Sequence, residues 1–208
     1  MSVRLIPYGL QALLAEYDTL ADVMGAAAAL RAAALPAVEE IIPGARTLLV
    51  QFHGPQPEAL RMLLTQQQHH HMMPSDGRLI EIPARYDGPD LDVVAAAVGL
   101  RPDAVIELHS ATTYVAAFCG FAPGFAYLSG LPQALHLPRR SSPRTLVPAG
   151  SLAMASEFTS VYPTAAPGGW HLLGSVDVAM FDATRRPAAL IAPGDSVRFV
   201  PQPVARSV

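Results

Sequence analysis

From Thr112 onward the chain is never allowed a long regular element. Runs rich in β-formers, at 113–118, 151–155, 171–173, 176–181, 188–191 and 196–200, alternate with Gly and Pro. Proline lacks the N–H a central strand needs, and glycine accepts the φ values of tight turns. A series of short strands cut by such signals predicts a closed or nearly closed antiparallel barrel. The uncharged stretch 110–138 is long enough to raise a membrane question. It is broken by Gly120, Pro123, Gly124, Gly130, Pro132 and Pro138, whose bare backbone would go unsatisfied in lipid. It therefore reads as buried strands and turns of a soluble protein.

The first half mixes both element types. Strands are expected at 3–6 and 12–17 around the turn Pro7-Tyr8-Gly9. Thr19, three residues before Asp22, is placed to cap a helix carrying Leu20, Val23, Met24, Ala27 and Leu30, which Pro36 ends. A hairpin is expected at 38–42 and 47–52 around Pro43-Gly44-Ala45. A second helix follows at 58–67 with Leu60, Leu63 and Leu64 on its apolar side, then a strand at 79–82. That order predicts a small α+β sandwich with helices on one face of a sheet. The turn-rich Tyr86-Asp87-Gly88-Pro89-Asp90 is the expected junction, giving domains 1–86 and 87–208. Asp90 is placed to cap a helix with Leu91, Val94, Ala95 and Val98, which Gly99 closes, and Pro102 opens another helix reaching about His109.

Composition excludes several function classes. Apolar residues make up 51% and charged residues 15%, too much core and too little charge for a disordered chain. A net charge of −3 argues against nucleic acid or an anionic membrane as the main partner. All 14 basic residues are Arg; with neither Lys nor Asn, Schiff-base chemistry, a phosphate-loop Lys and an Asn-centred triad are impossible within this chain. Cys119 alone permits neither an internal disulfide nor a multi-Cys zinc site, and a cytoplasmic location fits best. His69, His70 and His71 lie in the polar loop 66–77. Adjacent side chains do not converge on one ion and no acid sits at a ligand spacing, so a solvated loop and no metal are expected.

Three loop segments carry the candidate chemistry. Gly120-Phe-Ala-Pro-Gly-Phe-Ala-Tyr-Leu128 offers an apolar wall of Phe121, Phe125 and Tyr127, or else a barrel corner with its aromatics in the core. Pro138-Arg-Arg-Ser-Ser-Pro-Arg-Thr-Leu-Val-Pro-Ala-Gly-Ser151 gathers Arg139, Arg140 and Arg144 with Ser141, Ser142 and Thr145 in a proline-stiffened loop. Guanidinium forks suit carboxylate or phosphate; a solvated basic loop paired with surface acids is the alternative. An anion site here predicts that Arg144→Ala weakens acidic-ligand binding without lowering thermal stability. The third segment, 159–174, holds Pro167-Gly168-Gly169, Trp170 and His171. Its Gly pair can present N–H groups to an anion, while a lone Trp is commonly a core anchor. His109 and His171 are the proton-transfer candidates, since imidazole titrates near neutral pH. Cys119 has no basic neighbour and no Gly-x-Ser-x-Gly elbow is present, so no nucleophile stands out. The residues alone describe a barrel with a small-anion pocket.

Together these segments resemble the allophanate hydrolase subunit 1 family, which includes the B subunits of prokaryotic 5-oxoprolinases and sporulation-kinase inhibitors. The likeness extends to Ala45-Arg-Thr-Leu-Leu49, Ile82-Pro-Ala-Arg-Tyr-Asp-Gly-Pro-Asp-Leu91 and Pro193-Gly-Asp-Ser-Val-Arg-Phe-Val-Pro201, nearly the whole chain. It implies a small N-terminal α/β domain before a cyclophilin-like β-barrel. It also implies a carboxyltransferase-like unit formed with a subunit 2/C partner, joined in 5-oxoprolinases by a lactam-utilisation protein. The implied reaction opens 5-oxo-L-proline to L-glutamate with ATP hydrolysis by the complex, and this chain alone would be inactive. The resemblance implies a substrate surface of Phe121, Pro123, Gly124, Phe125, Tyr127, Arg139, Arg144, Pro148, Ser151, Tyr162, Gly168, Gly169 and Trp170, with His109 or His171 moving a proton. Inhibition of a sensor histidine kinase and a urea carboxylase or allophanate role are the alternatives it leaves. Many relatives have Gly-Gly-Gln-Thr-Gly-Ile-Tyr-Pro where this chain has Ser156-Glu-Phe-Thr-Ser-Val-Tyr-Pro163, and Gly-Arg-Thr where it has Gly174-Ser-Val176.

Overall fold

The computed structural model describes residues 3–65 and 77–203. They fall into two compact units, Met1–Pro74 and Ser75–Val208. The triple-His loop lies outside the described residues, apart from Gly77 at its end.

The first unit runs β1 (Arg4–Pro7), β2 (Ala12–Glu16), α1 (Leu20–Ala33), β3 (Val38–Pro43), β4 (Thr47–Phe52), α2 (Glu58–Thr65). Its antiparallel sheet has the order β1-β2-β4-β3. Strict alternation sends Leu13, Ala15, Leu48, Val50 and Phe52 inward, where Val23, Ala26, Ala27 and Leu30 of α1 and Leu60 and Leu64 of α2 meet them. Thr19 caps α1 as its position predicts, its Oγ1 accepting the Asp22 N–H at 3.2 Å.

The second unit contains β5 (Leu79–Ala84), α3 (Leu91–Val98), α4 (Pro102–Ala111), β6 (Tyr114–Cys119), β7 (Ala126–Ser129), β8 (Arg144–Val147), β9 (Ser151–Ala155), β10 (Phe158–Val161), β11 (Ala166–Gly168), β12 (His171–Ser175) and β13 (Ser196–Pro201). Seven strands form one sheet in the order β12-β9-β10-β7-β6-β13-β5, while β8 and β11 pair as a separate ribbon. The sheet closes where β5 runs out. Arg85 and Ser175 exchange backbone hydrogen bonds of 2.9 and 2.8 Å, joining the first and last strands. The interior is filled by Ile82, Tyr114, Leu128, Leu152, Met154, Val197 and Phe199, with α3 and α4 packed against it.

Three expectations change. The strand near Leu79 belongs to this unit and not to the first, so the boundary between units falls before the expected junction at 86/87. It pairs with β13 in parallel, from Leu79 opposite Ser196 to Ala84 opposite Pro201, which makes the barrel mixed and not purely antiparallel. Burial of Ile82 and Ala84 against the barrel core explains the placement. Segments 176–181 and 188–191 are not strands; they share only the Phe181–Ala189 bridge. The Arg185 guanidinium instead donates to the carbonyls of Ala188 (2.9 Å), Ala179 (3.4 Å) and Met180 (3.5 Å). Among the described residues no helix is long and apolar enough to cross a membrane.

The seam leaves no room for a side chain. A Cβ at Gly174 would stand 2.0 Å from the Arg85 carbonyl oxygen, backbone against backbone. Gly174→Ala is therefore expected to cost about 1–3 kcal/mol through overpacking. Urea denaturation should show a lower midpoint with an unchanged slope, and a wild-type midpoint would show that the seam tolerates a side chain.

Candidate functional site

The three loop segments meet on one face of the second unit. Phe121 and Phe125 come from the β6–β7 turn, Tyr127 from β7, Tyr162 from the end of β10 and Trp170 from the β11–β12 turn. Their rings form a continuous edge-to-face cluster. Phe125 lies 5.1 Å from Phe121, 5.1 Å from Tyr127, 5.4 Å from Tyr162 and 5.5 Å from Trp170. Phe125, Tyr162 and Trp170 are buried, whereas Phe121 is 59% exposed and sits at φ 69°. One ring of the segment faces outward, while Phe125 packs inward as the barrel-corner reading expects. Pro123 and Gly124 shape the same turn, and Gly124 packs against Phe181. Gly168 is required by contact, because a Cβ there would lie 2.2 Å from the Tyr162 hydroxyl oxygen. Burial pushes the Tyr162 hydroxyl up, and the nearby Arg139 and Arg144 pull it partly back.

The arginines are not equivalent. Arg144 begins β8 opposite Gly168 of β11. Its Nη2 donates to Asp90 Oδ1 at 2.7 Å, and Arg140 Nη1 donates to the same oxygen at 3.0 Å. The Leu172 N–H donates to Asp90 Oδ2 at 2.7 Å. Asp90 stands before α3 but makes no side-chain capping bond, so the sequence reading of it as a cap is corrected. Its carboxylate, 4% exposed, is the counter-ion of the arginine loop. Burial alone would raise its pKa, yet Arg144, the Leu172 N–H and Arg140 together hold it below the ordinary carboxylate range. Arg144 is consequently not a free surface guanidinium, and its removal without loss of stability is no longer expected. Arg139 is exposed and makes no ion pair among the described residues.

Two clefts flank this node. One, about 410 Å³, is lined by Leu137, Arg139, Arg140, Ser141, Ser142 and His171, among others, with no carboxylate in its walls. The other, about 340 Å³, includes Asp87, Arg144, Leu146, Pro148, Ser151 and Ser175. Ser151 turns its hydroxyl to the Pro148 carbonyl at 2.8 Å. The two histidines separate sharply. His171 Nε2 donates to the Pro138 carbonyl at 2.9 Å, so the ring borders the first cleft. His109 is sealed in the core, 0% exposed. Thr159 donates its proton to the Ala153 carbonyl and so accepts from His109 Nε2–H at 2.9 Å; Tyr86 donates to Nδ1 at 2.8 Å. Burial lowers this imidazole to about 3, leaving it neutral. Buried and fully hydrogen-bonded, it has no path to a ligand. Burial pushes the Cys119 thiol up, away from the thiolate form.

The departures from the family pattern have visible consequences. Ser156 adopts φ 52°, a left-handed conformation that glycine reaches without cost. Phe158 adds an apolar ring 5.8 Å from Phe118 and 5.7 Å from Tyr127. Ser175 donates to Asp87 Oδ2 at 3.0 Å. Sequence reasoning read Asp90 only as a helix cap, and Arg140, grouped with the anion-site loop, was absent from the surface that the resemblance implied; the signal available was an arginine cluster needing a counter-ion in a sparsely charged chain.

The family model described as carboxyltransferase domain, subdomain C and D, matches residues 3–191, and the chain belongs to that family. It is 47% identical over 174 residues to the B subunit of 5-oxoprolinase from Escherichia coli O157:H7, covering 81% of this chain and 80% of that one. The Bacillus subtilis protein of the same name is 44% identical over 126 residues, covering 59% of this chain and 52% of the relative. Among solved structures, TTHA0988 is similar with a TM-score of 0.77 at 33% identity, over 96% of this chain and 41% of that one. The Kluyveromyces lactis urea amidolyase shares the fold alone, with a TM-score of 0.68 at 15% identity, over 96% of this chain and 15% of that one.

Proposed function

We propose that the chain is a subunit of an ATP-dependent 5-oxoprolinase, opening 5-oxo-L-proline to L-glutamate, in which a subunit 2/C-type partner completes the site. A lactam-utilisation protein would be the third member, acting in the cytoplasm. The observation that carries the reading is the convergence of Phe121, Tyr162, Trp170, Gly168 and the arginine loop on one face. The names of the relatives support the substrate. A lactam is a poor electrophile, and ATP would supply a phosphoryl group that turns its oxygen into a leaving group. The residues of this chain do not make a triphosphate cradle: Lys is absent, and Arg140 and Arg144 already share the Asp90 carboxylate as counter-ion. ATP is therefore assigned to the complex and not to this chain. Here the aromatic floor excludes water from the lactam ring, the backbone at Gly168 and Gly169 faces developing negative charge, and His171 is the proton carrier.

Reconstitution tests this. The purified chain should release no glutamate from 5-oxo-L-proline and ATP, while the complex with its partners should turn over. Phe121→Ala should lower kcat/KM of the complex about 10-fold or more, as expected when an apolar positioning contact is lost. Turnover by the isolated chain, or a complex active on urea only, would refute the assignment.

A further inference from the structure

We infer that Asp90 is a positioning residue that sorts the three guanidinium groups of the loop, fixing Arg140 and Arg144 as framework and leaving Arg139 to bind the carboxylate of the substrate. The inference rests on the 5-oxoprolinase reading for the identity of that carboxylate, and on geometry for the sorting.

Asp90 joins three elements at one point. Its backbone carbonyl accepts from Val94 in α3, its own N–H donates to the Leu172 carbonyl, and its carboxylate takes Arg140, Arg144 and the Leu172 N–H. The Arg140 N–H in turn donates to the Gly169 carbonyl at 2.8 Å, and Arg144 is laddered to Gly168. Both side chains are thereby held at the Gly168-Gly169 turn with their forks facing inward. Asp90 takes one nitrogen of each, and Arg140 Nε and Arg144 Nη1 are buried, so neither group offers an incoming anion an open, uncompensated fork.

Arg139 precedes this anchored pair and has no acidic partner among the described residues. It shares its cleft with Ser141, Ser142 and His171, and no acid lines the walls. Two cationic groups share the single charge of Asp90, so the node itself stays net positive and attracts an anion toward Arg139. A guanidinium fork matches the two oxygens of a carboxylate. The cleft reaches the β11–β12 turn through His171, the residue after Trp170 of the aromatic cluster.

The test uses the reconstituted complex and the free chain in parallel. In the complex, Arg139→Ala should raise KM for 5-oxo-L-proline at least 10-fold with KM for ATP unchanged, and Arg139→Lys should recover part of the loss. Asp90→Asn should raise the same KM, and Asp90→Glu should restore it toward wild type. In the free chain, NMR of arginine side-chain N–H groups should show Arg140 and Arg144 protected from solvent exchange and Arg139 averaged, with protection lost in Asp90→Asn. Unchanged 5-oxo-L-proline KM in Arg139→Ala, or a rise in KM for ATP instead, overturns the carboxylate contact. Equal exchange of all three arginines in the wild-type chain overturns the sorting. Should the complex not turn over 5-oxo-L-proline at all, the functional reading fails while the exchange experiment still decides the sorting.

Discussion

Asp90→Ala should lower the stability of the chain by about 3–5 kcal/mol, the range seen when one partner of a buried ion pair is removed. Three donors lose their acceptor at once: Arg140 Nη1, Arg144 Nη2 and the Leu172 N–H. Two guanidinium groups would remain side by side without a counter-charge, and an N–H at the start of β12 would be left unbonded. Urea denaturation measures the loss. Arg144→Ala should cost less, because Arg140 still neutralises the carboxylate, but it should not be silent. The pH dependence gives a second readout. Asp90 has its folded pKa held below the unfolded value, so its stabilisation is fully present above the unfolded carboxylate pKa. It is lost as pH falls through the folded one. The wild-type advantage over Asp90→Ala should therefore shrink in acid. A variant as stable as wild type at neutral pH would show that the carboxylate is dispensable to the loop.

Much of the fold was legible because local chemistry and global packing agree. The Thr19 cap, the alternation in β2 and β4, Gly99 closing α3 and Pro102 opening α4 all stand where their residue types predict. What was not legible depends on non-local pairing. Segment 79–84 reads as a strand in either domain, and only its parallel register with β13, far later in the chain, assigns it to the barrel. Strands β7, β8, β10 and β11 are three or four residues long, too short for periodicity to register. Segment 176–181 has β-forming residues, but a guanidinium takes carbonyls that a ladder would have used. The site followed the same division. The aromatic and glycine motifs were visible as composition, and their rings do meet. The role of Asp90 was hidden because a carboxylate just before a helix is normally read as its cap. Here Arg140, 50 residues away, competes for it and wins.

His109 offers the other large effect, and it bears on chemistry as well as stability. His109→Ala should destabilise by about 3–5 kcal/mol, comparable to other large-to-small changes in a packed core. The loss includes two hydrogen bonds and ring contacts with Tyr114 and Phe199, each at 5.2 Å. The wild-type chain should also show an acid-sensitive contribution to stability. Unfolded His109 binds a proton near pH 6.5, whereas the buried ring does so only near 3, so between those values the unfolded state holds more protons. Stability contributed by this residue is complete above the unfolded pKa and declines as pH falls, with a slope approaching about 1.4 kcal/mol per pH unit. His109→Gln keeps a donor and an acceptor but cannot titrate, so its stability should flatten across that window. A proton carrier behaves differently: its replacement lowers kcat while leaving the acid stability profile alone. If His109→Gln retains the wild-type acid slope and abolishes turnover of the complex, the ring is catalytic and its enclosure must open during the reaction. If the slope disappears and kcat stays within a few-fold of wild type, proton transfer falls to His171, at the rim of the cleft that Arg139 shares.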